Sequence, residues 1–250
     1  MSVSRPVFDA HFHVVDARFP LYENNGYLPD EFTVGDYRDR TTTLNITGGA
    51  VVSGSFQRFD QTYLLDALRQ LGPRFVGVTQ IPHDLPDREI VELADQGVRA
   101  VRFNLRRGGS AGLEHLDHLA RRVHDLAGMH TELYVDARDL PGLADTLAAL
   151  PAVSIDHLGL HADGLPELLA LVERGIKVKA TGFGRIVLDP AQAVRAILEV
   201  DPTALMVGTD LPSTRARRPF ADADLELVAD AAGEHLDAVL HDNAVAFYLR

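Results

Sequence analysis

The chain has 250 residues, with 36 acidic against 24 basic side chains, a formal net charge of −12 and no cysteine. That balance excludes a nucleic-acid surface built on phosphate neutralisation, and the missing cysteines exclude disulfides, thiolate metal sites and a thiol nucleophile. No apolar run reaches the roughly 18 residues that a membrane span needs. The opening MSVSRPVFDAHFH lacks the apolar stretch of a secretory signal, so a cytoplasmic location is the default expectation.

Along the chain a short apolar strand is repeatedly followed by a turn and a helical pattern. The strands are expected at 7–14, 47–54, 74–81, 98–104, 131–135, 152–157, 176–182 and 204–210. Between them, 62–71, 88–97, 116–129, 166–175 and 189–200 carry apolar residues at three- and four-residue spacing, the signature of helices buried on one face. Eight strands alternating with helices predict an α/β fold, a TIM-like (β/α)8 barrel that spans 1–250 as a single domain, a size typical of that architecture. A doubly wound sheet would place a glycine-rich turn after its first strand, where this chain has HFHVVDARF. Residues 14–45 break the rhythm. A loop of that length after the first strand of a barrel is expected to lie over the catalytic face as a lid, with Tyr22, Tyr27 and Tyr37 available to a substrate.

Three strand ends carry chemistry. His11 and His13 are two residues apart at the end of the first strand and so share a face. The sixth strand closes on Asp156-His157, which suits a metal ligand, an acid/base group or a carbonyl polariser. The eighth closes on Asp210, followed by Leu211-Pro212. A carboxylate facing imidazoles across a barrel mouth can bind a metal or take a proton from water.

Taken together, DAHFHVVDARFPL at the start, GVRAVRFNL at 97–105, IDHLG at 155–159 and GTDLPSTRARRPF at 208–220 carry a resemblance over nearly the whole length. The chain resembles the amidohydrolase-related family of the amidohydrolase superfamily, in the branch of 2-pyrone-4,6-dicarboxylate lactonase and sugar-acid lactonases. The resemblance implies a distorted (β/α)8 barrel that hydrolyses a small anionic lactone or related cyclic ester. It implies Asp210 as general base, with His11, His13 and His157 around the carbonyl. It also implies a site that is either metal-independent or holds one divalent ion such as Zn2+ on His11, His13, His157 and Asp210.

The fourth strand, VRAVRFN, has no lysine to carbamylate, which speaks against the superfamily's binuclear arrangement. The chain's two lysines, Lys177 and Lys179, both fall on the seventh strand. The fifth strand offers Tyr134 and Asp136 near its end, while His130 lies at its start, so one ligand of the related zinc decarboxylases is missing. Arg102, Asn104 and Tyr134, with Arg185 after the seventh strand, are the expected substrate-binding groups, because a guanidinium fork suits a carboxylate. Lys179, if it points inward, needs a partner such as Asp156. Two further readings stay open: a mononuclear-metal decarboxylase on the same scaffold, and a non-catalytic barrel that binds a ligand. Both leave the oligomeric state open.

Overall fold

The structure, a computed structural model, describes residues 5–249. Residues 1–4 and Arg250, part of the expected 1–250 domain, lie outside the described residues. Eight parallel strands form one sheet in sequential order: β1 (Val7–Phe12), β2 (Ile46–Val52), β3 (Phe75–Thr79), β4 (Val98–Asn104), β5 (His130–Tyr134), β6 (Val153–Ile155), β7 (Lys177–Ala180) and β8 (Leu205–Val207). The helices between them are α1 (Val34–Arg40), α2 (Thr62–Leu71), α3 (Asp87–Asp95), α4 (Leu116–Ala127), α5 (Ala144–Ala149), α6 (Leu165–Val172) and α7 (Pro190–Val200). They are followed by α8 (Asp222–Ala232) and α9 (Asn243–Tyr248). The expected (β/α)8 barrel is the one observed. Of the helices, α2, α3, α4, α6 and α7 follow the spacing that predicts them, whereas α1, α5, α8 and α9 lie outside the expected set.

The core has two layers. The outer one packs the helices' apolar faces against the sheet and includes Phe12, Leu64, Leu119, Leu168 and Ile197. The inner one is small and apolar on the β1–β4 and β8 side, with Phe8, Ala10, Ala50, Val52, Val76, Val78, Ala100 and Met206. Tyr248 of α9 belongs to this inner cluster, and its ring stacks on Phe8 at a centroid distance of 5.6 Å. On β4–β7 the same inward register carries charge instead. Strand alternation and register put Arg102, Asn104, Glu132 and Tyr134 on the same inward face, with Lys179 between Val178 and Ala180 on β7.

The ring closes between β8 and β1 by an irregular seam. No ladder pair joins these two strands among the described residues. Just beyond them the Asp210 N–H donates to His11 O and the His13 N–H donates to Leu211 O, each at 2.7 Å. The Asp9 side chain completes the join by accepting from the Thr209 N–H at 2.8 Å and from the Thr209 hydroxyl at 2.7 Å. The Tyr37 hydroxyl adds a third bond to Asp9 at 3.0 Å. Burial pushes the Asp9 carboxyl up to about 6, against the downward pull of these donors.

The seam tolerates this close approach because residue 208 is glycine. A Cβ there would meet the His11 backbone nitrogen and Cβ, both at 2.8 Å. Gly208→Ala is therefore expected to cost about 1–3 kcal/mol as β1 and β8 are forced apart, the scale of overpacking in a core. Gly142→Ala, whose Cβ meets nothing within 4 Å, is the matched control. Urea denaturation of the two variants checks this; equal midpoints would contradict it.

Candidate active site

The chemistry-bearing side chains meet at the C-terminal rim of the barrel, all of them buried. The His11 and His13 rings approach edge to face at 5.0 Å, and the His11 and His157 rings lie 4.9 Å apart. Asp210 faces the pair, its Oδ1 3.5 Å from His13 Nε2 and 3.8 Å from His11 Nε2. His157 and Asp210 both sit in the left-handed region, at φ 55° and 59°, where non-glycine residues are uncommon. Such strain is characteristic of functional positions, because the surrounding structure has to hold it.

Second contacts fix each group. His13 Nδ1 lies 2.7 Å from Val52 O, and because a carbonyl only accepts, the ring donates from Nδ1. In the neutral ring that leaves the Nε2 lone pair facing Asp210 Oδ1, which has no hydrogen-bond partner. Two acceptors face one another, an arrangement that a shared water proton or a cation satisfies. Asp210 Oδ2 is held by Arg185, through Nε at 3.0 Å and through Nη2. Burial alone would raise the Asp210 carboxyl, but the Arg185 guanidinium outweighs it and holds the group far below the usual carboxylate range. Asp210 is therefore ionised at neutral pH. Burial, helped by the Arg185 charge, keeps His157 neutral, and burial also lowers His11 to about 4.

Beneath the rim lies a fully buried charge cluster. Arg102 donates to Asp156 Oδ2 from Nε at 3.1 Å and from Nη2 at 2.7 Å, and to Ser53 O at 2.9 Å. Lys179 pairs with Glu132 and lies 3.5 Å from Asp156 Oδ1. Glu132 also accepts from the Tyr248 hydroxyl at 2.5 Å and lies 3.1 Å from His130 Nε2. The cations Arg102, Lys179 and Arg185 thus balance the anions Glu132, Asp156 and Asp210. Burying such charges is tolerable only when they are paired in this way.

Above the rim, His13, Arg102, Asn104, Arg107, Tyr134, His157, Arg185 and Arg215 line a cavity of about 30 Å³. It adjoins an outer cavity of about 200 Å³, which shares Arg107, Tyr134, Arg185 and Arg215 and adds Arg106, Arg138 and Arg217. Arg107 Nε is buried without a hydrogen-bond partner. The 14–45 segment reaches this region: Arg215 donates to Asn24 and lies 4.4 Å from the Tyr27 ring, and the Asn24 side chain donates to Arg107 O at 3.1 Å.

The expected site residues divide into two groups. His11, His13, His157 and Asp210 come together at the rim, with Asn104 and Tyr134 on the cavity wall. Arg102 and Arg185 also line that cavity, but their guanidiniums are turned onto Asp156 and Asp210. Tyr37 does not reach the mouth at all: it is buried, stacks on Phe12 at 3.8 Å and bonds Asp9. Lys179 takes Asp156 as expected, together with Glu132, which sequence reasoning missed. Its signal was a carboxylate two residues before Tyr134, and so on the same face of the strand.

A divalent ion fits the rim. His11, His157 and Asp210 offer ligand atoms within 4.8 Å of one another, and His11 Nε2 and Asp210 Oδ1 are buried without partners. Imidazole nitrogen with carboxylate oxygen is the donor set of catalytic zinc.

The eight-stranded parallel barrel thus carries paired imidazoles at the end of its first strand, a histidine after the sixth and an aspartate after the eighth on one rim. The chain belongs to the amidohydrolase family, whose model, described as Amidohydrolase, matches residues 8–250. It is similar to the 2-pyrone-4,6-dicarboxylate hydrolase of Comamonas testosteroni, 32% identical over 156 residues. That match covers 60% of this chain and 51% of the relative, so it spans about half the relative's length. It is 28% identical to the 4-sulfomuconolactone hydrolase of Rhizobium radiobacter over 99% of this chain and 91% of that one. Among solved structures, one from Acinetobacter baumannii, described as a probable 2-pyrone-4,6-dicarboxylic acid hydrolase with citric acid bound, superposes with a TM-score of 0.84 at 24% identity. It covers 98% of this chain and 99% of that one, and it supports the fold.

Removing Arg185 leaves Asp210 as an uncompensated buried anion. Arg185→Met is expected to destabilise the protein by about 3–5 kcal/mol, as for other broken buried pairs. The sign follows from a carboxyl depressed in the folded state: the stabilisation is complete above the ordinary carboxylate range and fades as the pH falls below it. Urea titrations at pH 7 and pH 3 check both points. A loss that is as large at pH 3 after Asp210→Asn is added would contradict the assignment.

Proposed function

We propose that this protein hydrolyses a small anionic lactone, with Asp210 Oδ1 as the general base. One observation carries the reading: a buried, ionised and unpartnered carboxylate oxygen faces a histidine lone pair at the floor of an arginine-lined cavity. The net charge of the chain is −12, so a wall of arginines at this one place is a local device rather than an average property. Names of relatives that act on a pyrone dicarboxylate and a sulfomuconolactone support a substrate carrying carboxylate or sulfonate next to a ring ester.

In the proposed sequence, Arg107 and Arg215 bind the substrate's anionic group, and Tyr134 and Asn104 orient the ring. A water between Asp210 Oδ1 and His13 Nε2 attacks the ester carbonyl and gives its proton to Asp210. The oxyanion forms beside His11 and His157. The ring C–O bond then breaks, the departing oxygen takes a proton back from Asp210, and the open-chain acid leaves. If an ion is bound, His11, His157 and Asp210 would hold it, with His13 beside them, and it would supply Lewis-acid polarisation. The Asn24–Tyr27 turn, tied to Arg215 and Arg107, would act as the lid that excludes bulk water.

Asp210→Asn preserves the shape while removing the base, so kcat for a carboxylated lactone should fall by about 10²–10⁴-fold, the usual share of a general base. A lactone panel that includes 2-pyrone-4,6-dicarboxylate, run with metal-stripped protein with and without added zinc, measures this; an unchanged kcat removes the mechanism. Arg107→Ala should raise KM about tenfold, the value of one charge-assisted hydrogen bond. The effect should be confined to anionic lactones, and an equal rise for an uncharged lactone would remove the anion-binding role. Release of CO2 in place of ring opening would favour the decarboxylase reading.

A further inference from the structure

Lys179 is 0% exposed and stands at the centre of a second group of ligand-type side chains, below the rim. His11, Glu132 and Asp156 offer ligand atoms within 4.8 Å of one another, a set that by composition alone could hold a metal ion. The lysine's Nζ already touches every member: it pairs with Glu132 Oε2, and it lies 3.5 Å from Asp156 Oδ1 and 3.5 Å from His11 Nδ1. The Tyr248 ring lies 5.7 Å from the same nitrogen. An ammonium has three donors and a compact charge, which suits the two carboxylates, while His11 Nδ1, 3.3 Å from Asp156 Oδ1, lies against the same anion. His11 thus presents one ring nitrogen to this cluster and the other, Nε2, to Asp210.

We propose that the Lys179 ammonium is the resident cation of the His11–Glu132–Asp156 cluster, filling the place a second metal ion would take and holding the His11 ring with Nε2 turned to Asp210. Lys179 is then a positioning residue, for it acts on the reaction only through His11. A cation tethered to the chain does not dissociate, and it restricts any exchangeable metal to the rim. The alignment of Nε2 is set when the protein folds and is independent of metal supply.

The test is zinc stoichiometry. Lys179→Met keeps the stem's bulk and removes the charge, leaving two carboxylates and an imidazole around an unoccupied position. Metal-stripped wild type and K179M are dialysed against the same buffered zinc, and bound metal is measured by atomic emission, with folding checked by circular dichroism. K179M should bind one zinc per chain more than wild type, and E132Q in the K179M background should remove that increment. A folded K179M with the wild-type zinc count overturns the proposal. Should K179M fail to fold with and without zinc, the wild-type chain decides. With two lysines in the sequence, a 15N-lysine-labelled sample gives two Nζ signals. The Lys179 signal should persist in slow exchange at saturating zinc; its loss on zinc addition overturns the proposal. The kinetic consequence rests on the lactonase reading: kcat of K179M falls about 10- to 100-fold, the usual cost of losing a partner that orients a ligand, with KM within about twofold. If lactone hydrolysis fails in every protein, that reading falls while the zinc count still judges the role of Lys179.

Discussion

Asp156 is the hinge on which the interior turns. It has no solvent exposure, yet it stays ionised because Arg102 grips one oxygen while Lys179 and His11 surround the other. Burial acts against its charge, and the neighbouring cations and His11 more than reverse that effect. The same balance runs upward to Arg185 and Asp210 and downward to Glu132 and Tyr248. Half of the barrel interior is therefore an electrostatic lattice and the other half an apolar packing of Phe8, Val52, Val78 and Met206. The first orients the histidines, and the second gives the lattice a rigid wall. Neither half would serve alone, since unpaired charges would draw in water and an all-apolar interior would have nothing to aim an imidazole with.

Much of this was legible in the chain because a parallel barrel writes itself in alternation. The strand ends where the apolar pattern stops on a titratable residue bring His11, His13, His157 and Asp210 to one rim, with Asp156 just beneath it. What stayed hidden depends on distance across the ring. Glu132 and Lys179 lie 47 residues apart and reveal their pairing only once β5 and β7 flank β6. Arg102 and Arg185 look like anion receptors in one dimension, and their donors turn out to be spent largely on carboxylates of the protein itself. Tyr37 belongs to a stretch with little periodicity, yet a capping box at Thr33 and Asp36 starts a short helix there and carries its ring onto Phe12. The helices α8 and α9 escaped because their apolar positions follow a loop rich in arginine and proline, with no strand after them to set the rhythm.

The arginines expose a division of labour. Those closest to the chemistry, Arg102 and Arg185, serve as counter-ions that shape the site, whereas those further out, such as Arg107 with its unsatisfied Nε, remain free to meet a ligand. On the proposed reading, an anionic substrate entering from outside would meet the second group before the first. Under that reading, a chain of net charge −12 would accept an acidic substrate without giving up the salt bridges that hold Asp210 in place.

The seam between the first and last strands has a bearing on biosynthesis. The two halves of the catalytic constellation are about 200 positions apart, and Asp9 cannot be satisfied until Thr209 arrives. A nascent chain emerging from the ribosome therefore carries its imidazole pair early, yet lacks the Asp210 carboxylate until the eighth strand is extruded. Contacts of such long range form late in folding. On the proposed reading, competence would be acquired only when the eighth strand joins the first, and chains that stop before Asp210 would be inert.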